Sequence, residues 1–289
     1  MRGAATAVPS GATVTPGAPV SPAETSPPAP GLRGVLFLLL AAWTLVPLLV
    51  LAVLSVGRQW FYPGLLPAEF TGEHWGSLLG GGGRLARATV GSLLLGVGTG
   101  VLAVLVGFPV GRAMARLRGG LRMVAAGAAF LPVAAPPLAL GVGLQFSFLS
   151  VGLGGTGAGV LLAHLVPAAG YVSLLFLGTF ATHDDRLEVE ARSLGATPRQ
   201  ALFRVTLPVL RRPLVEGFIL GFLVSWAQVP LTLLVGQGVV PALPVEVFAY
   251  VQSGQDALAA TGAVLLVVPP LLAMAAAGVA VRRLEMALP

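Results

Sequence analysis

The sequence has no cysteine and no lysine, and only 10% of its 289 residues are charged. Without cysteine there are no disulfides, no thiolate metal sites and no thiol catalysis. The histidines number three, His74, His164 and His183, and they sit in separate segments. No HExxH or GxSxG occurs, and the glycine run at 80–83 is not followed by the Gly-Lys-Ser/Thr of a phosphate loop. Zinc hydrolysis, serine-type hydrolysis and ATP hydrolysis by this chain itself therefore have no residues to carry them. Soluble domains carry about 25% charged residues because their surfaces must be solvated. Here that polar surface is missing, while 56% of the residues are hydrophobic and the mean hydropathy is +0.90. Most of the exterior must face lipid.

The basic residues are all arginine, 17 of them, giving a formal charge of +6 and a pI near 11.2. Residues 1–32 are rich in Pro, Ala, Gly, Ser and Thr and carry only Arg2 and Glu24 as charges. Such a composition cannot bury enough apolar area to offset its ordering entropy, and the reading is a disordered cytoplasmic tail. About 20 apolar residues are needed to cross a bilayer as a helix. Six stretches meet this, at 35–56, 88–111, 123–149, 157–181, 214–236 and 259–281. The expected fold class is thus an all-α membrane protein of about six transmembrane helices. Gly and Pro interrupt several spans, as at Pro136-Pro137 and Pro269-Pro270, which membrane helices tolerate when neighbours re-satisfy the freed backbone.

With both termini cytoplasmic, 14 of the 17 arginines fall inside, the exceptions being Arg58, Arg84 and Arg87. This obeys the positive-inside rule and explains the high pI without a nucleic-acid partner. Trp60, Phe61, Tyr62 and Trp75 in the external segment suit a headgroup-level aromatic belt. The spans hold no Asp, Glu, Lys or Arg in their central turns, and Glu216 lies near a boundary. Carriers driven by ion gradients place ionisable groups at mid-membrane depth, so an ion-coupled secondary carrier is the weaker alternative. An intramembrane enzyme is weaker still. The candidate pore-lining polar groups are Gln145, His164, Tyr171, Ser225, Gln228 and Thr232, with Ser225 and Gln228 sharing a face at i, i+3 of the fifth span. Interhelical hydrogen bonding is the competing role for each.

The internal loop 182–213 differs from the rest. It carries six arginines and four acids, yet also Leu187, Leu194, Leu202, Phe203, Val205 and Leu207 at amphipathic spacing. Two short helices are expected. The first runs from about Asp185 to Leu194, capped by Asp184 or Asp185 and stopped by Gly195. The second starts at Thr197-Pro198-Arg199-Gln200, a capping box with proline at the first position, and ends near Leu207-Pro208. A capped helix pair on the cytoplasmic face is a docking element for a partner.

The run Glu190-Ala191-Arg192-Ser193-Leu194-Gly195-Ala196-Thr197, then Phe203, Val205, Thr206-Leu207-Pro208 and Pro213, resembles the EAA loop of binding-protein-dependent ABC importer permeases. The resemblance covers most of residues 35–285. It implies a coupling-helix pair between helices 4 and 5 that docks on ATP-binding cassette subunits through Glu188, Glu190, Ala191, Leu194, Gly195, Ala196, Phe203, Leu207 and Pro208. It further implies a second permease subunit, an external solute-binding protein and a bacterial or archaeal plasma membrane, with ATP hydrolysis on a partner chain. One position departs from the pattern, since Val189 stands at the usual glutamate and Glu190 at the first alanine. Glu188 and Glu190 project from different faces, and either is a candidate to meet the ATP-binding subunit. "LPVEVFAYVQSG" before the last span is similar to permeases for polyamines, iron, thiamine and sulfate or molybdate.

Overall fold

A computed structural model describes residues 30–58, 60, 64 and 66–285, without the side chains of 30–33, 77, 79, 277 and 279–285. Most of the expected tail, residues 1–29, lies outside the described residues, as do Phe61 and Tyr62. The chain forms two units, residues 1–46 and 47–289. The first unit contains the start of helix α1 (Pro30–Val56), where Phe37, Leu38, Leu40 and Trp43 are exposed. A helix apolar all round belongs in lipid.

In the second unit a two-residue antiparallel ladder, β1 (Gly57–Arg58) with β2 (Glu69–Phe70), leads to α2 (Glu73–Leu79). The long α3 (Arg84–Arg116) follows, then α4 (Gly119–Ala134), α5 (Pro137–Ser150) and α6 (Gly157–Thr182). Among the described residues four helices are each long and apolar enough to cross a membrane: Gly34–Val56, Arg84–Arg116, Gly157–Thr182 and Asp256–Ala276. Six crossings result if each of two bent pairs counts as one.

Those pairs occupy two of the spans expected from the sequence. The stretch 123–149 is α4 and α5 meeting at 95°. Proline disfavours helical backbone in the preceding residue. Ala135 (ψ 135°) and Pro136 (ψ 128°) are both extended here, and the helix restarts with Pro137 at its first turn. The stretch 214–236 is α10 (Arg211–Trp226) and α11 (Pro230–Gly236), bent by 65° across residues 227–229. Between α6 and α10 lie α7 (Arg186–Ser193), α8 (Pro198–Ala201), a π turn (Leu202–Thr206) and α9 (Leu207–Val209). The described chain closes with α12 (Leu243–Gln252) and α13 (Asp256–Glu285).

Helix α6 is the centre of the second unit, packed against α3, α10, α4, α11 and α5. With no hydrophobic drive between helices in lipid, close backbone approach and hydrogen bonds hold them together. Small residues make the approach possible. A Cβ placed on Gly111 of α3 would sit 2.7 Å from the Ser173 carbonyl oxygen of α6, and one on Gly107 would sit 3.0 Å from the Ser173 nitrogen. Around this seam Ala103, Ala168, Val172 and Phe176 form one core, with Phe108 edge-on to Phe176 at 5.2 Å.

Two adjacent prolines, Pro269 and Pro270, lie inside α13 without ending it. Proline at 270 removes the N–H that the Leu266 carbonyl would have accepted. The buried Trp226 indole of α10 supplies a replacement, donating Nε1–H to Leu266 O at 2.9 Å. Phe222 stacks on that indole at 5.5 Å. Trp226→Phe keeps the ring and removes the donor, leaving a partly buried carbonyl unpaired. The expected cost is about 1–3 kcal/mol. In detergent this reads as a Tm lowered by roughly 2–4 °C per kcal/mol, and an unchanged Tm counts against the substitution of backbone bond by side chain.

Candidate coupling loop and polar groups of the membrane interior

The loop 182–213 is built from local signals that the sequence carries. Asp184 Oδ1 accepts the Arg186 N–H at 3.0 Å and opens α7, with Asp185 in the cap position but making no side-chain cap bond. At the other end Gly195 adopts φ +91°. Its N–H reaches Arg192 O at 3.1 Å, and the Ala196 N–H reaches Ala191 O at 3.0 Å. This pair of bonds is a Schellman closure, which places glycine one residue past the cap. Ala191 and Ala196, both half-buried, are the two residues that this closure brings together.

The next helix starts on a complete capping box. Thr197 Oγ1 accepts from the Gln200 N–H at 3.2 Å, and Gln200 Oε1 accepts from the Thr197 N–H at 2.8 Å. The helical path runs to Val209, one residue beyond the Leu207-Pro208 near which the sequence places its end. Leu207 N–H donates to Leu202 O, five residues back, and the wider π turn takes Pro208 into the first turn of α9. The path ends at Leu210 (φ −90°, ψ 15°), immediately before α10.

Leu187, Val189, Leu194 and Phe203 are exposed around the helix pair, Leu194 by 90% of its surface. Glu190 and Pro208 are exposed as well, while Leu207 is half-buried. Glu188 is engaged by its own chain. Arg112, near the end of α3, donates from Nη2 to both carboxylate oxygens at 2.7 and 2.6 Å, and Thr206 Oγ1 donates to Oε2 at 2.8 Å. The Arg112 guanidinium also lies 5.8 Å from the centroid of the Phe180 ring of α6. Burial alone would raise the Glu188 carboxyl. Hydrogen bonds from Arg112 and Thr206, with the charges of Arg112 and Arg116, overcome burial and hold it below its ordinary value. The stabilisation is therefore present above the ordinary glutamate range and lost only as pH falls through the depressed value. The sequence shows neither partner, because Arg112 is 76 residues away and Thr206 is 18.

The polar candidates of the membrane interior divide. His164 of α6 is buried, with Nδ1 2.8 Å from Ser225 Oγ and Nε2 2.9 Å from Thr232 Oγ1, both also buried. The Thr232 hydroxyl donates to Gln228 O at 2.8 Å, so its oxygen accepts from Nε2–H. The other ring nitrogen, Nδ1, shares its hydrogen bond with the Ser225 hydroxyl. These three side chains spend their hydrogen bonds on each other and on the backbone, across the break between α10 and α11. The i, i+3 face expected for Ser225 and Gln228 does not form, because α10 ends at Trp226 and Gln228 falls in the break. Gln145 on α5 and Gln228 are half-buried and Tyr171 on α6 is exposed, none of them in that network except through the Gln228 carbonyl. Among the described residues no three His, Asp or Glu side chains come together as a metal set.

Residues 107–286 match the family model of the binding-protein-dependent transport system inner membrane component. The molybdenum transport system permease protein ModB of Mycobacterium tuberculosis is 35% identical over 202 residues, which are 63% of this chain and 76% of that protein. The spermidine/putrescine permease PotC of Haemophilus influenzae is 25% identical over 77% of this chain and 86% of its own length. The putative 2-aminoethylphosphonate permease PhnV of Salmonella typhimurium is 28% identical over 79% and 86%. Among solved structures, a bacterial ABC transporter involved in the import of the acidic polysaccharide alginate has a TM-score of 0.63 at 16% identity, covering 85% of this chain and 93% of the other. An inward-facing MetNI methionine ABC transporter gives 0.56 at 23% identity, covering 69% and 95%. The structural likenesses establish the fold, and the sequence relatives are named as transport permeases. The chain thus belongs to the family of binding-protein-dependent transport system inner membrane components, as a multi-pass permease subunit of an ABC importer rather than an enzyme.

Proposed function

We propose that the chain and a second permease subunit enclose a solute path that works by alternating access, driven by separate ATP-binding subunits docked on the 184–207 loop. Both termini are cytoplasmic in this reading, and an external solute-binding protein delivers the solute. The observation that carries it is the set of exposed apolar side chains on the helix pair. Leu187, Val189, Leu194 and Phe203 stand exposed on a capped element outside the apolar spans. Charge placement supports the orientation, since the loop holds six arginines.

For the solute we propose a small oxyanion of the molybdate type. The relative at 35% identity is named for molybdenum transport, and the spans carry no acidic group at central depth that a polyamine or iron cation would call for. Labelled molybdate uptake in a strain lacking this gene, against labelled spermidine as the rival, tests that choice.

Affinity capture of the tagged chain from its native membrane in mild detergent tests the coupling. An ATP-binding subunit is expected to co-purify with ATPase activity. Leu194→Asp with Phe203→Asp places two charges on the docking face and should reduce capture of that subunit by about 100-fold or more, the loss of two apolar anchors at about 1.5–3 kcal/mol each. Membrane insertion should be unaffected. A chain that purifies alone, without ATPase, would point to the ion-coupled carrier.

A further inference from the structure

We infer that Arg112, Glu188 and Thr206 form a latch that transmits movement of the docked helix pair to the membrane helices, and that Glu188 serves this internal latch while Glu190 is the acid left to the partner. The inference rests on the importer reading above. Three observations carry it. First, both oxygens of Glu188 are occupied, Oε1 by Arg112 and Oε2 by Arg112 and Thr206, and the side chain is only 14% exposed. Second, Glu190, two residues on and about 200° around the helix, is exposed and makes no side-chain bond among the described residues. Third, Arg112 is tied into the membrane helices at both sides. It belongs to α3, which packs along α6, and its guanidinium lies over Phe180 of α6. Phe180 in turn meets Phe108 of α3 edge-on at 5.3 Å.

Helix α7 is otherwise exposed along its length, apart from the half-buried Ala191. It packs on α8 and on the π turn that contains Thr206. A push on α7 therefore has a route through one carboxylate to α3 and the aromatic cluster, and a second through Thr206 into the helical path that ends at Leu210, immediately before α10. An exposed ion pair would be too weak and too mobile for this, being worth little and readily exchanged with water. A shielded carboxylate held by three hydrogen bonds keeps its geometry, because charged partners form the shortest and strongest bonds. The hydroxyl of Thr206 adds a second element to the joint. A lone arginine–glutamate pair would link α7 to α3 alone.

The test uses the reconstituted importer, with its ATP-binding and solute-binding partners, in proteoliposomes. Glu188→Gln and Arg112→Ala should leave the ATP-binding subunit bound and hydrolysing ATP, while solute carried per ATP falls about 10-fold or more. Exchanging the charges, Arg112→Glu with Glu188→Arg, should recover a large part of that ratio. Thr206→Val should give a smaller loss in the same direction. Because the chain has no cysteine of its own, Arg112→Cys with Glu188→Cys introduces the only two thiols of this chain, and a bifunctional thiol reagent can join them. Joining should raise the ratio above that of the unjoined pair. This arm holds even where single variants insert poorly, since the same sample is compared before and after joining.

Single variants that keep the wild-type ratio would overturn the latch. So would single variants that release the ATP-binding subunit, because Glu188 would then be a contact to the partner. Failure of the unaltered chain to hold any ATP-binding subunit would instead overturn the importer reading beneath it.

Discussion

Gly111→Val is expected to remove most of the folded protein from the membrane. A Cβ at Gly111 would lie 2.5 Å from Phe176 Cβ, 2.7 Å from Ser173 O and 2.8 Å from Leu177 N. Two of those three atoms are backbone, so no rotamer change on α6 relieves the contact. The helices must move apart, and with them the shared core of Ala103, Val172 and Phe176. Overpacking of a yielding core costs about 1–3 kcal/mol, and a backbone contact should lie at or above the upper end. Against a typical total of about 5–15 kcal/mol, that is enough to cut the yield of monodisperse protein about 10-fold. Gly178→Val, further along α6, is the matched control, because nothing stands within 4 Å of a Cβ there. Fluorescence-detected size exclusion of both variants separates the cases. Equal yields would mean that the α3–α6 seam is not the tight contact described.

Gly195→Val should behave in the opposite way, leaving the fold intact and stopping transport. Here a Cβ has open space around it, so no clash is involved. The cost is conformational. The residue sits at φ +91°, where a β-branched side chain is strained by about 1–3 kcal/mol. Relief comes from turning the Ala196–Thr197 segment, which breaks the Schellman bonds to Ala191 and Arg192 and re-aims α8 against α7. Uptake in membrane vesicles should fall by about 10-fold or more, with protein level and size-exclusion profile unchanged. Gly195→Asn should retain much of the activity, because asparagine tolerates positive φ better than other residues. Full transport by Gly195→Val would count against a rigid turn between the two helices.

The difference between these glycines shows what a sequence can carry. Gly195 is readable because its partners are neighbours: an acidic start, a short amphipathic run and a Thr-Pro-x-Gln box bracket it within a dozen residues. The apolar spans are readable for the same reason, since length and composition decide them locally. Gly111 looks like any other small residue until α6 is laid against it. Proline pairs are similar. Pro136-Pro137 and Pro269-Pro270 read alike, yet the first turns the chain by 95° and the second stays inside a helix. The second has Trp226 from another helix to take up the Leu266 carbonyl. The sequence names the polar candidates and pairs Ser225 with Gln228, but it does not show the grouping that forms. His164, Ser225 and Thr232 are a set only once the fifth span breaks and folds its halves around α6.

That set has a consequence for how the subunit can move. A break between two helices with a 65° change of direction would ordinarily act as a joint. Here the imidazole grips one hydroxyl on each side of the break and is itself rooted in the most enclosed helix. The break is braced, and α10 and α11 are expected to turn together with α6, so that flexing concentrates at the edges of this set rather than at the bend.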